Sequence, residues 1–307
     1  MKPEDIYHHI SLVLPTKNEE KALINFLPQL IEKYPQFEII VIDDGSTDQT
    51  KKIAEKYGAM VVSHPYSIGN GAAIKTGARL ASRELIIFMD ADGQHRIEDI
   101  DKLITKFQSG FDMVVGFRDK ASQASISRWV GNQFYNYIAA SIVGQPILDL
   151  TSGFRIVKRE KFLEFLHLLP NGFSYPTTIT MAFFRSGYSV GYEKIIVNNR
   201  IGKSHLNIFY DGFKFLLIIY KMTILYSPFK VFLPFAALHF LAGSINYLYT
   251  YTTQGRFTNM SAVFLSASVI IFLIGLVSEQ ITTLMYQRFS QACQPNPMTK
   301  QQSTINN

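Results

Sequence analysis

Two carboxylates one residue apart, Asp90 and Asp92, end the apolar run in the sequence IIFMDADGQH. At the end of a buried strand both side chains can converge on one cation, whereas without a cation they would repel each other. A hard divalent ion such as Mg²⁺ or Mn²⁺ takes a few carboxylate oxygens and completes its shell with substrate phosphates. The pair therefore predicts a metal site for a diphosphate. The alternative is a helix cap followed by a solvated loop acid.

Other phosphate and metal motifs do not fit the sequence. The run GNGAAI has Ile74 where the third glycine of a dinucleotide-binding fingerprint belongs, and no GxxxxGK[ST] loop occurs. Two Asp-rich loops begin like calcium loops, but their sixth positions are Gln49 and His95 where the tight turn requires glycine. His95 is either a part of the predicted site or a solvated loop residue.

The elements that position these acids alternate along the first part of the chain. Strand-like apolar runs occupy residues 10–15, 37–43, 59–64, 84–90 and 111–117, with amphipathic helical stripes between them. This alternation predicts an α/β fold with a parallel sheet covered on both faces. Ligands of such sheets bind beyond the carboxyl ends of the strands. The polar residues at those ends are Pro15 to Glu19, Asp43, Asp44, Asp90, Asp92 and Arg118.

Composition divides the chain into a soluble part and an apolar part. The 307 residues carry 30 Lys and Arg against 24 Asp and Glu, and charges thin out beyond Leu206. The net charge of +6 suits anionic lipid headgroups and phosphorylated ligands. No nucleic acid partner is expected, because the sequence has no nucleic-acid-binding motif and no cluster of basic and aromatic residues. The single cysteine, Cys293, excludes a disulfide framework and a cysteine metal cluster.

Two nearly uncharged runs, residues 231–251 and 260–280, have the length needed to cross a bilayer. Their consecutive positions predict a helical hairpin rather than two core helices of a globular protein. Basic residues flank the hairpin at its outer ends, and the connector holds only Arg256. The positive-inside rule therefore places both termini in the cytoplasm.

The predicted domains are a cytoplasmic catalytic domain at residues 1–205, amphipathic interfacial helices at 206–230, two transmembrane helices at 231–286 and a cytoplasmic tail at 287–307. The interfacial helices are predicted because apolar residues recur there at helical spacing among lysines. The N-terminus runs into strand-like sequence without an apolar stretch of signal-peptide length. We therefore expect a multi-pass protein of the inner (cytoplasmic) membrane, with its catalytic domain in the cytoplasm.

Five sequence motifs occur in the order typical of one enzyme family. LPTKNEE, VIDDGSTDQT, SIGNGAAIKTG, MDADGQH and LTSGFR resemble the motifs of family 2 glycosyltransferases. With RIGKSHL and the C-terminal hairpin, the chain is similar over residues 8–285 to the branch of dolichyl-phosphate mannose synthase and the bacterial polyprenyl-phosphate glycosyltransferases. The resemblance implies a GT-A fold, which is a doubly wound, mostly parallel sheet. It also implies metal-dependent, inverting transfer of a sugar from a UDP- or GDP-linked donor to an undecaprenyl or dolichyl phosphate.

The resemblance also implies roles for single residues. The metal, Mg²⁺ or Mn²⁺, would be held by Asp90, Asp92 and Gln94, with Asp92 as the direct ligand. The nucleotide pocket would include Pro15, Glu19, Asp43, Asp44 and Ala91. Arg118 and Arg128 would lie near the acceptor phosphate and sugar, and a loop with Arg200, Lys203 and Ser204 would close on the donor. Asn70 replaces a frequent Lys or Arg, and residues 174–188 lack a frequent acid, which leaves the donor sugar open.

Two other functions stay open at this point. One is glycosyl transfer to a polysaccharide or a protein; enzymes of that kind usually carry Gln-x-x-Arg-Trp, whereas Ser125 stands at the Gln position before Arg128 and Trp129. The other is a non-catalytic membrane scaffold that retains the nucleotide-binding fold. A homo-oligomer formed through the hairpin also stays open, since the hairpin has no strong heptad or small-residue pattern.

Overall fold

The structure is a computed structural model that describes residues 6–118, 126–172, 174–197, 217–221, 223–225 and 227–292, with the backbone alone for 126–130 and 285–292. The chain divides into two compact units, Met1–Ile219 and Tyr220–Asn307. The first unit holds the described strands of the sheet. The second holds two long helices.

The first unit is built around a seven-stranded sheet. Its strands are β1 (Ile10–Thr16), β2 (Glu38–Asp43), β3 (Met60–Ser63), β4 (Leu85–Phe88), β5 (Met113–Arg118), β6 (Arg155–Lys158) and β7 (Val190–Ile195). Their spatial order is β3-β2-β1-β4-β6-β5-β7. All neighbouring pairs are parallel except those of β6, which runs antiparallel to both β4 and β5. Two reversals restore the direction, so β5 runs the same way as β4.

Helices cover both faces of this sheet. They are α1 (Glu20–Lys33), α2 (Thr50–Lys56), α3 (Asn70–Leu80), α4 (Asp99–Phe107), α5 (Ile126–Val143), α6 (Arg159–Glu164) and α7 (Tyr175–Arg185). Leu23 and Leu27 of α1 pack with Ile100 of α4 in the main core cluster. On the other face, α3 lies so close to β1 that a Cβ at Gly77 would come within 2.2 Å of a Val13 methyl carbon. The central strands are therefore buried on both faces, which explains their continuous apolar runs.

The predicted fold class is confirmed. The five predicted strands are present, with ends that differ from the prediction by one or two residues. The sequence analysis did not name β6 and β7. The four residues of β6 are too short to show a period of their own, and its pairing partners lie more than 30 residues away in the chain.

The second unit is a hairpin of two helices, Pro228–Gln254 and Asn259–Ala292, and both are long and apolar enough to cross a membrane. The first helix ends at Gly255, whose φ of 65° suits a left-handed helix cap. The two helices approach closely at Gly243, where a Cβ would lie 2.9 Å from Leu265. The Ser268 hydroxyl donates across the pair to the Ala236 carbonyl at 2.9 Å. Small residues and a polar contact thus hold the hairpin together.

Candidate active site

The polar strand ends predicted from the sequence meet at one edge of the sheet. Thr16 at the end of β1 pairs with Asp43 at the end of β2, and Val13 of β1 pairs with Phe88 at the end of β4. The end of β5, Arg118, belongs to the same edge because β5 runs in the direction of β4. The fold therefore gathers at its carboxyl edge the segments that were expected to form the site.

The loops after β1 and β2 are hydrogen-bonded to each other. Asn18 adopts a left-handed φ of 54°. Its side-chain oxygen accepts the Thr47 amide at 2.8 Å, and its own amide donates to the Ser46 hydroxyl at 2.9 Å. The Glu19 amide donates to the Thr50 hydroxyl at 2.9 Å. Glu19 is thus held in place through its backbone.

Asp43 and Asp44 have different surroundings although they are adjacent. Asp43 is buried, and its carboxylate accepts the Ser46 amide at 2.9 Å. Pro15 lies on the neighbouring strand, where it pairs with Ile42, the residue before Asp43. Thr16, the residue after Pro15, pairs with Asp43, so Pro15 and Asp43 lie one register position apart at the ends of neighbouring strands. Their role in a nucleotide pocket stays a prediction.

Asp44 organises the loop that precedes α3. Its carboxylate accepts four hydrogen bonds of 2.8 to 2.9 Å, from His64 Nδ1, the Ser67 hydroxyl and the amides of Ile68 and Gly69. Burial raises the pKa of Asp44, but these donors outweigh burial and lower it overall. The carboxylate was predicted to line the nucleotide pocket, and this stays a prediction. The structure shows that it also has a structural task, since it binds the backbone of residues 68 and 69.

The first turn of α3 is hydrogen-bonded to residues 170–172. The amides of Gly71 and Ala72 donate to the carbonyls of Gly172 and Asn171, at 3.2 and 2.8 Å. A Cβ at Gly71 would lie 2.0 Å from the Pro170 carbonyl oxygen, so glycine is required there. The glycine-rich sequence that resembles a dinucleotide fingerprint thus serves a contact between two loops.

The paired acids follow β4 directly. Asp90 and Asp92 are both partly exposed, whereas Ala91 between them is buried at 1% exposure. The backbone amide of Gln94 donates to the Asp92 carboxylate at 3.1 Å. Gly93, between them, has a left-handed φ of 74°. The two carboxylates therefore reach the surface of the edge. Ala91 keeps its side chain in the core, so any contact of Ala91 with a cofactor would be made by its backbone.

His95 is not a solvated loop residue. Only 9% of its side chain is exposed, and its ring lies 4.8 Å from the Phe154 ring. Its Nε2 atom is 3.9 Å from an Asp90 oxygen, and its buried Nδ1 has no hydrogen-bond partner among the described residues. A β-bridge also joins His95 to Val197. His95 therefore belongs to the wall of the site.

Asp90 lies close to the backbone at Gly153. A Cβ at Gly153 would lie 3.1 Å from an Asp90 oxygen and 3.3 Å from the Tyr175 hydroxyl. Tyr175 is buried and donates to the Gly153 carbonyl at 2.9 Å. Among the described residues no cluster of three His, Cys, Asp or Glu side chains could hold a metal alone. Two partly exposed carboxylates suit instead a hard cation that shares its shell with a bound diphosphate.

Arg118 is held by a buried acid. Its Nε and Nη2 atoms donate to the two Asp149 oxygens at 2.8 and 3.1 Å, and Nη2 also donates to the Thr151 hydroxyl at 2.6 Å. Burial alone would lower the pKa of Arg118, but Asp149 outweighs burial and raises it. The Asp90 carboxylate acts in the same direction. Arg118 thus has a fixed orientation and interacts electrostatically with Asp90.

Asn136 of α5 connects that helix to the same acid. Its side-chain amide donates to the Leu148 carbonyl at 2.9 Å and accepts the Leu150 amide at 3.0 Å, on either side of Asp149. Arg128 lies in the first turn of α5, where the structure describes the backbone alone. The predicted loop residues Arg200, Lys203 and Ser204 lie outside the described residues.

The sequence analysis missed His64, Asn136, Asp149 and Tyr175. Each acts through a partner at least 12 residues away in the chain, so sequence periodicity gives no signal for it. The position of Asp149 just before the LTSGFR motif was the nearest available indication.

Comparison with known proteins agrees with this geometry. The glycosyl transferase family 2 model matches residues 11–166, and a model of the GtrB C-terminal hairpin matches residues 227–284. The chain belongs to glycosyl transferase family 2. The family predicted from the sequence motifs is therefore confirmed, and so is the prediction of a glycosyltransferase at the level of the family.

The relatives of this family 2 chain include lipid-phosphate glycosyltransferases. A dolichyl-phosphate beta-glucosyltransferase of Trichomonas vaginalis is 31% identical over 52% of this chain and 55% of its own length. An undecaprenyl-phosphate 4-deoxy-4-formamido-L-arabinose transferase of Proteus mirabilis is 31% identical over 49% of each chain. The chain thus spans about half the length of these two relatives.

A solved structure supports the fold. Glucosyl-3-phosphoglycerate synthase of Mycobacterium tuberculosis, crystallised with Mn²⁺, uridine diphosphate and phosphoglyceric acid, is similar over 71% of this chain and 80% of its own, with a TM-score of 0.59. The sequence identity is 20%, so the similarity concerns the fold.

Proposed function

We propose that this chain transfers a sugar from a nucleotide-diphosphate sugar to a polyprenyl phosphate, with inversion at the anomeric carbon. The observation that carries the proposal is the position of Asp90 and Asp92 beside the interlocked loops after β1 and β2, in a chain that also has two helices of membrane-spanning length. The relatives that act on dolichyl and undecaprenyl phosphates support it.

The donor would bind at the carboxyl edge between β1, β2 and β4. Pro15, Glu19 and Asp43 would line the nucleotide part of the pocket, and Asp44 would support it by holding the loop before α3. Ser204 would approach the donor from the chain beyond β7. These residues orient the donor so that its anomeric carbon faces the acceptor.

Mg²⁺ or Mn²⁺ would be held by Asp90, Asp92 and Gln94. All three offer oxygen atoms, which both ions prefer, and a side chain at Gly153 would crowd Asp90. When bound, the ion supplies positive charge that neutralises the nucleoside diphosphate as it leaves. The solved neighbour with Mn²⁺ and uridine diphosphate supports a divalent ion in this fold.

The acceptor needs orientation more than deprotonation. The second pKa of a phosphate monoester is near ~6, so a polyprenyl phosphate is largely dianionic at neutral pH and requires no strong base. Arg118 would place the acceptor phosphate opposite the leaving group, because Asp149 fixes its guanidinium. Arg128, Arg200 and Lys203 would add charge around the two phosphates.

The membrane would hold the acceptor within reach of the site. We propose that the hairpin spans the inner membrane twice and that the catalytic unit faces the cytoplasm, since basic residues flank the hairpin at both outer ends. The matched hairpin family supports a membrane association. A long isoprenoid chain is insoluble in water, which explains why such an enzyme needs an anchor.

The proposal can be tested with the full chain in detergent or vesicles. Undecaprenyl phosphate, Mn²⁺ and a panel of UDP- and GDP-sugars are incubated with the protein, and the lipid product is identified by its mass. We expect one sugar-phosphate lipid, formed only with the divalent ion. No lipid product with any donor, or transfer to a polysaccharide instead, would contradict the proposal.

A pair of variants tests the acids. We expect Asp92→Asn to lower the transfer rate at least about a hundredfold, because even outer-shell partners of a metal contribute about 10- to 100-fold. The control is Asp101→Asn on α4, which removes an acid paired with Lys33 where both side chains are more than a third exposed. If Asp92→Asn transferred sugar at the original rate, Asp92 would not be a metal ligand that the reaction needs.

A further inference from the structure

His64 connects Asp44, a residue of the predicted nucleotide pocket, to helix α3. It is the first residue after β3, and only 9% of its side chain is exposed. Its Nδ1 atom is 2.8 Å from an Asp44 carboxylate oxygen, and its Nε2 atom is 3.0 Å from the Thr76 hydroxyl of α3. Both ring nitrogens therefore have a protein partner, one on each side of the ring.

The partner on the Asp44 side fixes the tautomer of this ring. A carboxylate only accepts hydrogen bonds, so Nδ1 carries a proton and donates it to Asp44. The Thr76 hydroxyl can donate to the unprotonated Nε2 of a neutral ring. Burial raises the pKa of Asp44, and among the groups that lower this pKa His64 acts most strongly. His64 is thus the strongest of the donors that hold the carboxylate.

Asp44 in turn joins the loops that follow β1, β2 and β3. It follows β2 directly, and its carboxylate accepts the Ser67 hydroxyl and the amides of residues 68 and 69 in the loop after β3. The Ser67 hydroxyl also accepts the Lys17 ammonium, in the loop after β1, at 3.0 Å. The loops after β2 and β3 are in close contact, since a Cβ at Gly45 would lie 2.7 Å from the Ser67 nitrogen. One carboxylate therefore holds three loops of the predicted nucleotide pocket together.

We infer that His64 is a positioning residue for the donor nucleotide. By fixing the Asp44 carboxylate, it sets the position of the loop after β3 against the loops that carry the predicted nucleotide contacts. His64 does not itself touch the donor, because protein groups occupy both of its ring nitrogens. The inference rests on the proposed function, since it supposes that a nucleotide binds at this edge of the sheet.

Loss of the His64 hydrogen bond should loosen the pocket without unfolding the unit. Asp44 would keep three of its four hydrogen bonds, from Ser67 and from the amides of residues 68 and 69. A carboxylate that loses its strongest donor is held less rigidly. Groups that are fixed before a ligand arrives bind it more tightly than mobile groups, because less freedom is lost on binding. We therefore expect the main effect on nucleotide affinity.

Two substitutions separate the two hydrogen bonds of the ring. The amide nitrogen of His64→Asn takes the position of Nδ1 and keeps the bond to Asp44, whereas that of His64→Gln reaches the position of Nε2 and keeps only the contact with Thr76. The full chain in detergent is titrated with UDP and with GDP, in the presence of Mn²⁺, by calorimetry. We expect His64→Gln to raise the Kd of the nucleotide that binds the parent chain at least about tenfold, the scale of one hydrogen bond to a charged group. His64→Asn and Thr76→Val lose only the outer hydrogen bond and should raise it about threefold.

The kinetic effect should be confined to the donor. In the transfer assay, His64→Gln should raise KM for the nucleotide sugar about tenfold and leave KM for undecaprenyl phosphate unchanged. In a chain that already carries Asp44→Asn, the same substitution should add nothing, because the histidine acts through that carboxylate. The matched control is His9→Gln, which changes a histidine whose Nδ1 lies 3.5 Å from Glu84. His9 directly precedes β1 and so belongs to the opposite edge of the sheet, and both KM values should stay the same.

The outcomes distinguish the role of His64 from the proposed function. An unchanged Kd in folded His64→Gln, in a parent chain that transfers sugar to lipid, would overturn the positioning role alone. Thr76→Val leaves the histidine in place, so an unchanged Kd in that variant would overturn the role even if His64→Gln did not fold. Equal increases in KM for both substrates would also overturn it, since the disturbance would then not be confined to the donor.

Two further outcomes concern the proposed function itself. A Kd that rises in His64→Gln, in a chain that forms no lipid-linked sugar, would support the positioning role and contradict the proposed function. A parent chain that binds neither UDP nor GDP would overturn both.

Discussion

The pair of Arg118 and Asp149 leads to a quantitative prediction about which partner matters more for stability. The Arg118 side chain is 29% exposed, whereas that of Asp149 is 3% exposed. Removal of the arginine leaves a carboxylate without access to water. Removal of the acid leaves a guanidinium that can turn toward solvent. We therefore expect Arg118→Met to destabilise the fold more than Asp149→Asn.

The contacts set the magnitude. At 2.8 Å and an effective dielectric constant of about 20, the gross attraction is about 6 kcal/mol. Loss of one partner of a buried pair costs about 3 to 5 kcal/mol. Thr151 still donates its amide and its hydroxyl to Asp149, so we expect about 3 kcal/mol for Arg118→Met. Asp149→Asn keeps hydrogen bonds to a neutral group and should cost about 1 to 2 kcal/mol.

On acidification, the contribution of Asp149 to stability is expected to fall in the parent chain and to rise in Arg118→Met. Burial raises the pKa of Asp149, but Arg118 and the hydrogen bonds from Thr151 together outweigh burial, so the pKa is lowered overall. The stability gained by this pair is present above the unfolded pKa of about 4 and is lost as the pH falls below it. In Arg118→Met we expect burial to outweigh the remaining hydrogen bonds from Thr151 and to raise the pKa of Asp149. That variant regains stability as the pH falls from about 7 toward about 5.

The assay is urea unfolding of the full chain in a mild detergent, followed by the fraction that resists a short pulse of protease. The parent chain and both variants are compared at neutral and mildly acidic pH. Equal losses in the two variants would refute the argument from exposure. The parent chain and Arg118→Met should differ less in their free energy of unfolding at mildly acidic pH than at neutral pH. A difference that stays the same would refute the account of the buried carboxylate.

Two glycine substitutions test the packing of the site. Gly71→Ala should cost about 2 to 3 kcal/mol of stability, because its Cβ would lie 2.0 Å from the Pro170 carbonyl oxygen. Gly172→Ala, whose Cβ meets nothing within 4 Å, should stay within about 0.5 kcal/mol in the same urea titration; equal effects would contradict this packing. Gly153→Ala would bring a methyl group within 3.1 Å of Asp90 and should raise the Mn²⁺ concentration for half-maximal transfer about tenfold. An unchanged Mn²⁺ dependence would show that crowding at Gly153 does not affect metal binding by Asp90.

Much of the site could be located from the sequence because strand ends are visible in it. The apolar runs before Asp43 and Asp90 show where β2 and β4 stop, and parallel strands deliver their carboxyl ends to one edge. The place of Arg118 at that edge depends on β6, which was not predicted. Because β6 is antiparallel to both β4 and β5, β5 runs parallel to β4 and Arg118 lies at the predicted edge.

The tasks of single side chains could be predicted less well. Asp44 was predicted to line the nucleotide pocket; this stays a prediction, and the four hydrogen bonds that its carboxylate accepts from residues 64–69 could not be predicted. Ala91 was also predicted to line the pocket, and the sequence did not indicate that its side chain is in the core. Both outcomes depend on the path of distant loops, which local sequence patterns do not encode.

The sequence by itself determined the order of β1 to β5 along the chain, the edge at which a ligand is predicted to bind, the paired acids and the apolar hairpin. Each of these follows from local patterns, set by hydrophobic periodicity and by the residues that interrupt it. Only the tertiary structure decided that Asp149 holds Arg118 and that Gly153 lies against Asp90. Those contacts join residues 31 and more positions apart. Their energies come from burial and geometry, which exist only once the chain is packed.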